Sequence, residues 1–205
     1  YQRRFVRYFN FKIIMYIILD NGHGGMLNNT YQTKGKRSPK WSDGSQLFEG
    51  VFNRGIVHKI SRLLDWADIK FEILVTEESD ISLSERVKRA NAIYKKHSDA
   101  ILISIHANGH SNESANGFEL FTSRGETKSD AYAKIIHSNY VRLISEIRDR
   151  GIKESGFSMV KRTHCPAVLI ECGFMTNFDE CQFLLKNEYR IARAIFTGIE
   201  SIVNH

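Results

Sequence analysis

With 205 residues, a formal net charge of +6 and 42% hydrophobic residues, the chain has the composition of a globular protein with one core and is short for two domains. Two prolines and no Ser/Gly-rich tract argue against an internal linker. Three cysteines crowded into one region (Cys165, Cys172, Cys181) exclude a disulfide framework and favour folding in a reducing compartment. The positive charge fits a solvated basic surface or attraction to a polyanion, but no nucleic-acid-binding motif accompanies it, so no nucleic-acid partner is expected.

Residues 2–7 (Gln-Arg-Arg-Phe-Val-Arg) and the apolar run from Ile13 to Leu19 imitate the basic and hydrophobic regions of a signal peptide. The apolar run leads directly into Asp20-Asn21-Gly22-His23-Gly24-Gly25, so cleavage after it would amputate a candidate site. It is also far shorter than the ~20 residues that span a bilayer. Neither a signal peptide nor a membrane anchor is expected, which implies synthesis in the cytoplasm. Residues 1–14 read as an N-terminal extension, and residues 15–205 as the domain proper.

Tyr16 to Leu19 is a β-branched, apolar strand that breaks at Asp-Asn-Gly. The polar, basic segment from Leu27 to Ser45 carries Lys34, Lys36, Arg37, Lys40 and Trp41, and its glycines and Pro39 mark it as loop. Such a length is either a substrate-contacting loop, with Trp41 as a sugar-stacking face, or a tolerated insertion. Leu47, Val51, Phe52, Ile56, Ile60, Leu63 and Leu64 recur at helical spacing and predict a helix from about Gln46 to Ala67. Glu49 falls in its first turn, where the helix dipole favours an acid even without a metal, and Asn53 shares its face at i+4.

Phe71 to Thr76 alternates like a strand, and Ser82-Leu83-Ser84-Glu85 is a capping box for a helix that turns Leu83, Val87, Ala90 and Ile93 to one side. A second buried strand, Ala100 to Ile105, runs into His106-Ala107-Asn108, and Asn116 to Phe121 is another strand. Tyr132 through Ile147 marks a long amphipathic helix. Phe157 to Val160 reads as a short strand, Pro166 to Ile170 as a third buried strand ending in Glu171-Cys172-Gly173. A turn at Thr176-Asn177 precedes a terminal helix with Ile191, Ile195, Ile199 and Ile202 inward. Strands alternating with helices imply a single α/β domain, a largely parallel twisted sheet of about six strands flanked by helices.

In open α/β sheets ligand groups are presented at the carboxyl ends of strands. His23, His106 and Glu171 each follow a hydrophobic strand, so the three belong to one candidate site. His110 and His164 are placed to approach it. Cys172 reads as a small buried residue rather than a nucleophile, and the glycines around His23 lack the Gly-x-x-x-x-Gly-Lys-Ser/Thr pattern of a phosphate loop.

Four motifs occur in order: Asp-x-Gly-His-Gly-Gly, a glutamate opening a helix, Ser-x-His-Ala-Asn, and Glu-x-Gly-Phe-x-x-Asn. Together they resemble the zinc-dependent N-acetylmuramoyl-L-alanine amidases of family 3, from about Met15 to the C-terminus. The run from Asp80 to Asn91 resembles the family's second helix, although Glu77 stands where an arginine is usual, and the loop before Glu49 is longer than in lean members. The resemblance implies one zinc ion held by His23, Glu49 and His106, with a fourth position open for water. It makes Glu171 the group that moves a proton from that water to the leaving amine, and Asn53, Asn108 and Trp41 candidate substrate-binding residues.

The reaction so implied is hydrolysis of the amide joining the lactyl group of N-acetylmuramic acid to L-alanine of the peptidoglycan stem peptide. The residues alone reach only as far as a metal-assisted hydrolase. Another zinc peptidoglycan hydrolase cutting within the peptide, a wall-binding module without activity, and a basic nucleic-acid binder remain alternatives. The short link from Thr122 to Lys128 lacks the inhibitory helix of regulated periplasmic members. It resembles the constitutively active lysins, which implies a monomer acting on the wall after phage-type release.

Overall fold

Period-2 alternation in three apolar strands sets the architecture. The computed structural model describes residues 15–204; the extension read into residues 1–14, and His205, lie outside the described residues. Strand β1 (Ile17–Asn21) is followed by a small hairpin of β2 (Met26–Leu27) and β3 (Thr30–Tyr31), then helix α1 (Glu49–Trp66), β4 (Phe71–Ile73) and α2 (Leu83–Lys96). Next come β5 (Ile101–Asn108), β6 (Phe118–Ser123), α3 (Lys128–Leu143), β7 (Asp149–Ser155), α4 (Ser158–Lys161), β8 (Ala167–Phe174), α5 (Phe178–Lys186) and α6 (Glu188–Val203). The main sheet has six strands in the order β4-β1-β5-β8-β6-β7. Strands β4, β1, β5 and β8 are mutually parallel, while β6 runs antiparallel to β8 and carries β7 parallel to itself.

Alternate residues of the central strands feed two cores. Ile17, Leu19, Ile101, Ile103, Ile105, Val168 and Ile170 face the layer of α1, α3 and α6, where Ile56, Ile60, Ile136, Tyr140, Ile195 and Ile199 meet them. Ile18, Leu102 and Leu169 face the layer of α2 and α4, against Val87, Ala90, Ile93 and Met159. Burial on both faces explains why these strands read as unbroken apolar runs. Each fully buried isoleucine or leucine contributes roughly 1.5–3 kcal/mol. Continued towards the strands' C-terminal ends, the α2-side alternation changes from apolar to polar: Asp20 after Ile18, Ser104 and His106 after Leu102, Glu171 after Leu169. The site is the polar end of one core face.

Several elements differ from expectation. The segment after His23 is not all loop, because Asn28 and Asn29 take positive φ (48° and 60°), the conformation a tight two-residue hairpin turn requires. Helix α3 stops at Leu143, and Ile144 and Ile147 enter the core from irregular chain. The following Asp-Arg-Gly-Ile-Lys-Glu-Ser forms edge strand β7, whose polar sequence hides it from a periodicity reading. Phe157 to Val160 is not a strand: Phe157 caps the short helix α4. Leu83 does not turn inward with Val87 but is 56% exposed at the start of α2. The terminal helical region is two helices, the first opened by Asn177, whose side chain accepts from the Glu180 N–H at 3.1 Å.

Candidate metal centre and catalytic cleft

The backbone at the end of β1 is braced on every side. Asp20 is fully buried and accepts from Arg86 Nη1 at 2.6 Å and from Ser104 Oγ at 2.6 Å. His23 sits in the left-handed region, φ 67°, and its carbonyl oxygen accepts from Arg86 Nη2 (2.8 Å) and Arg54 Nη1 (2.9 Å). The Gly22 carbonyl accepts from Asn53 Nδ2 at 2.9 Å. A Cβ on Gly22 would fall on the imidazole of His106, so glycine is required there for packing.

Glu49 is the first residue of α1 and is buried. Its Oε1 lies 3.2 Å from His23 Nε2 and 2.9 Å from His106 Nδ1, and the two imidazoles are perpendicular with centroids 5.1 Å apart. Ligand atoms of His23, Glu49 and His106 all lie within 4.8 Å of one another. Burial raises the Glu49 carboxyl, but hydrogen bonding to His106 and His23 outweighs it and holds the group well below the usual carboxylate range. Burial disfavours the charged form of His106, yet Glu49 pulls its pKa upward. Two nitrogens of half-buried histidines and an oxygen of a buried carboxylate converging in this way are a donor set that suits zinc. An anionic ligand that must otherwise be neutralised by two imidazoles fits a divalent cation better than it fits a core.

Glu171 stands on β8 as the register partner of His106 on β5 and of Glu119 on β6. Its Oε2 is buried and has no hydrogen-bond partner among the described residues. Burial pushes this carboxyl up to about 7; His106 and Lys36 act against the shift, Glu49 and Glu119 reinforce it. An unpartnered carboxyl near neutrality beside three metal-type ligands suits proton transfer. All four side chains open onto a cleft of about 620 Å³.

The other sequence candidates divide. Asn108 lines the cleft; its Nδ2 donates to Glu119 Oε1 at 2.7 Å and its Oδ1 accepts from the Gly109 N–H at 2.8 Å. Asn53 does not reach the cleft: it is fully buried behind Gly22, so a substrate contact is replaced by a backbone-bracing one. Nor does Trp41, which is half-buried, crosses Phe178 at 75° with ring centroids 5.3 Å apart and packs on the main core, outside the residues that line the cleft. His110 lines the cleft, whereas His164 is exposed and does not. Glu77, in the place of the family's arginine, makes its own ion pair with Arg89 at 2.8 Å. Cys172 is fully buried and reduced.

Three contributors escaped the sequence reading. Arg54 and Arg86 are buried cations on helices, and Glu119 is a buried acid that binds Asn108, Arg150 Nε (2.6 Å) and Lys153 Nζ. A lone glutamate inside Phe-Glu-Leu-Phe, and an arginine between Phe52 and Ile56 on a buried helix face, were the available signals.

A model of the N-acetylmuramoyl-L-alanine amidase family matches residues 17–201. The chain belongs to the N-acetylmuramoyl-L-alanine amidase family. It is therefore an amidase of the peptidoglycan-hydrolysing class. It is 28% identical to the N-acetylmuramoyl-L-alanine amidase LytC of Bacillus subtilis over 90% of this chain and 35% of LytC. It is 27% identical to the endolysin of Bacillus phage SPP1 over 91% of this chain and 65% of the endolysin. The chain thus spans from about a third to just under two thirds of those relatives. The crystal structure of an N-acetylmuramoyl-L-alanine amidase from Clostridium difficile 630 superposes with a TM-score of 0.77 at 31% identity, covering 91% of this chain and 95% of that one. This amidase also has no helix, among the described residues, long and apolar enough to cross a membrane.

Proposed function

We propose that this amidase hydrolyses the amide between the lactyl group of N-acetylmuramic acid and L-alanine, with His23, Glu49 and His106 holding one zinc ion and Glu171 moving the proton. The observation that carries the assignment of roles is the convergence of His23, Glu49 and His106 in a cleft, beside a buried carboxylate oxygen of Glu171 that no group among the described residues satisfies. A module that only binds the wall has no use for that oxygen.

When bound, the ion polarises the scissile carbonyl and lowers the pKa of a water towards ~7. The chain's own groups do the rest. Glu171 accepts the proton that the attacking water loses and returns it to the alanine nitrogen as the C–N bond breaks, so the products are a muramic acid carboxylate and a free amine. Glu171 enters that cycle as the carboxylate. Glu119, tied to Arg150 and Lys153, fixes Asn108 at the cleft wall, where the second Nδ2 hydrogen is available to a substrate carbonyl. Arg54 and Arg86 keep His23 in its left-handed conformation.

The setting follows the same reading: a monomer working on peptidoglycan, with no nucleic-acid partner, released in the manner of the phage endolysin it resembles. Digestion of purified sacculi with and without chelator tests the whole scheme. New amino termini on L-alanine, intact glycan strands and full inhibition by chelator are expected. Ends generated inside the peptide, or full activity in a metal-free preparation, would overturn it.

A further inference from the structure

Of the four basic side chains in the segment before α1, only Lys36 and Arg37 line the cleft; Lys34 and Lys40 do not. Both are held from the backbone. The Lys36 carbonyl accepts from Tyr31 Oη at 2.8 Å and from the Glu49 N–H at 3.0 Å, so the residue is tied to a metal-ligand candidate's own main chain. Arg37 forms an antiparallel bridge with Phe48, and the next residue, Ser38, donates its N–H to Leu47 at 2.8 Å. Two cations are thus fixed on a braced ribbon at the rim.

Neither has a carboxylate within ion-pair distance among the described residues. Elsewhere such pairs are common: Lys59 with Glu188, Arg89 with Glu77, Arg150 with Glu119 and Arg190 with Glu146. Across the cleft the other helix layer supplies apolar, exposed Leu83 and Phe157. The cleft therefore has one cationic rim and one apolar rim.

Substrate chemistry says which part of peptidoglycan meets the cations. The only carboxyl of muramic acid is consumed in the scissile amide, so the glycan side carries hydroxyl, ether and acetamido groups and no charge. Free carboxylates lie on the peptide side, beyond the alanine nitrogen to which Glu171 returns its proton. We propose that Lys36 and Arg37 read a free carboxylate of the stem peptide, so that the enzyme prefers acidic peptides to those capped as carboxamides. This rests on the amidase reading given above and adds a specificity to it.

The test uses two synthetic muramoyl-L-alanyl peptides that differ only in a free carboxylate or a carboxamide on the residue after alanine. The zinc-loaded enzyme should favour the carboxylate about tenfold in kcat/KM, chiefly through KM, as charge-assisted hydrogen bonds at an open rim allow. The preference should shrink with added salt. Lys36→Gln and Arg37→Gln should each reduce the ratio, the double variant should bring it near one, and Lys36→Arg should keep it. A wild-type ratio near one, or a ratio that survives in the double variant, would overturn the proposal. So would a dependence on Lys36 and Arg37 that appears only on sacculi carrying phosphate polymers and disappears when these are stripped. Cleavage of neither compound would sink the amidase reading instead. Calorimetric binding of the free alanyl peptides, carboxylate against carboxamide, then decides this proposal independently: tighter binding of the carboxylate supports it and equal binding refutes it.

Discussion

Arg86 Nη2 donates to the carbonyl oxygen of His23 at 2.8 Å, while Nη1 of the same guanidinium meets Asp20 at 2.6 Å. One buried cation therefore fixes both the floor of strand β1 and the residue that leaves it in a left-handed turn. For a non-glycine residue that conformation costs about 1–2 kcal/mol and persists only where its surroundings over-determine it. Arg54 is the second constraint on the same oxygen. Arg86→Ala strands Asp20 as an unpaired buried charge and should cost about 3–5 kcal/mol of stability. Arg54→Met keeps most of the volume and should leave a folded protein that binds zinc roughly 10- to 100-fold more weakly. Denaturant unfolding and competition with a chromogenic chelator measure the two effects; unchanged zinc affinity in folded Arg54→Met would remove the bracing role.

Gly22→Ala is the smallest change expected to disturb the centre. Its methyl would occupy the space of the His106 ring, which Glu49 holds in place through Nδ1 at 2.9 Å. Overpacking of this kind costs about 1–3 kcal/mol. The variant should fold with a lowered midpoint and lose at least about tenfold in zinc affinity. Wild-type affinity by calorimetry would show that the ring can move freely.

Much of this was legible in the chain because the chemistry sits where a strand ends. The runs before His23, His106 and Glu171 are apolar on both faces, so each break to a polar residue stood out. Glu49 was legible as an acid in the first turn of a helix but not, from periodicity alone, as anything more than a dipole-favoured one. Bracing residues were not legible, since Asn53, Arg54 and Arg86 act through backbone carbonyls that no side-chain pattern announces. Trp41 failed for a related reason: an indole in a basic loop looks placed for substrate, and only its packing on Phe178 and the main core shows that it stands apart from the residues lining the cleft. Strand β7 was hidden because an edge strand next to polar residues has one short apolar contact, Ile152, instead of an alternating face.

Metal removal should register in stability as well as in turnover. A ligand that binds only the folded state stabilises it by RT ln(1 + [L]/Kd), about 4 kcal/mol at a thousandfold excess over Kd. Zinc should therefore raise the unfolding midpoint of the metal-free protein, and His106→Ala or His23→Ala should abolish the increment together with activity. Because His106 binds a proton more readily than a free imidazole, zinc affinity should fall as the pH is lowered. A zinc-independent midpoint in the wild type would argue that the three side chains form only a structural hydrogen-bonded cluster.

Glu171→Gln separates catalysis from stability in opposite directions. Glutamine keeps the shape but cannot take up a proton at neutral pH, so turnover should drop about 10²–10⁴-fold while zinc content stays near one ion per chain. In the metal-free protein the same change should stabilise. The folded carboxyl is pushed up to about 7, against 4.5 for an unperturbed glutamate. Between those values the unfolded chain releases the proton and the folded chain retains it. Wild-type stability contributed by this group is therefore full below about pH 4.5 and declines as the pH rises to 7, by roughly 3 kcal/mol. The glutamine variant has no such decline, so the two unfolding midpoints should separate progressively across that window, with the variant higher at pH 8. The comparison is made in chelator, because a bound cation offsets the buried negative charge. Equal midpoints at pH 8 would mean that the Glu171 carboxylate is satisfied after all, and retained turnover would assign the proton transfer to another group.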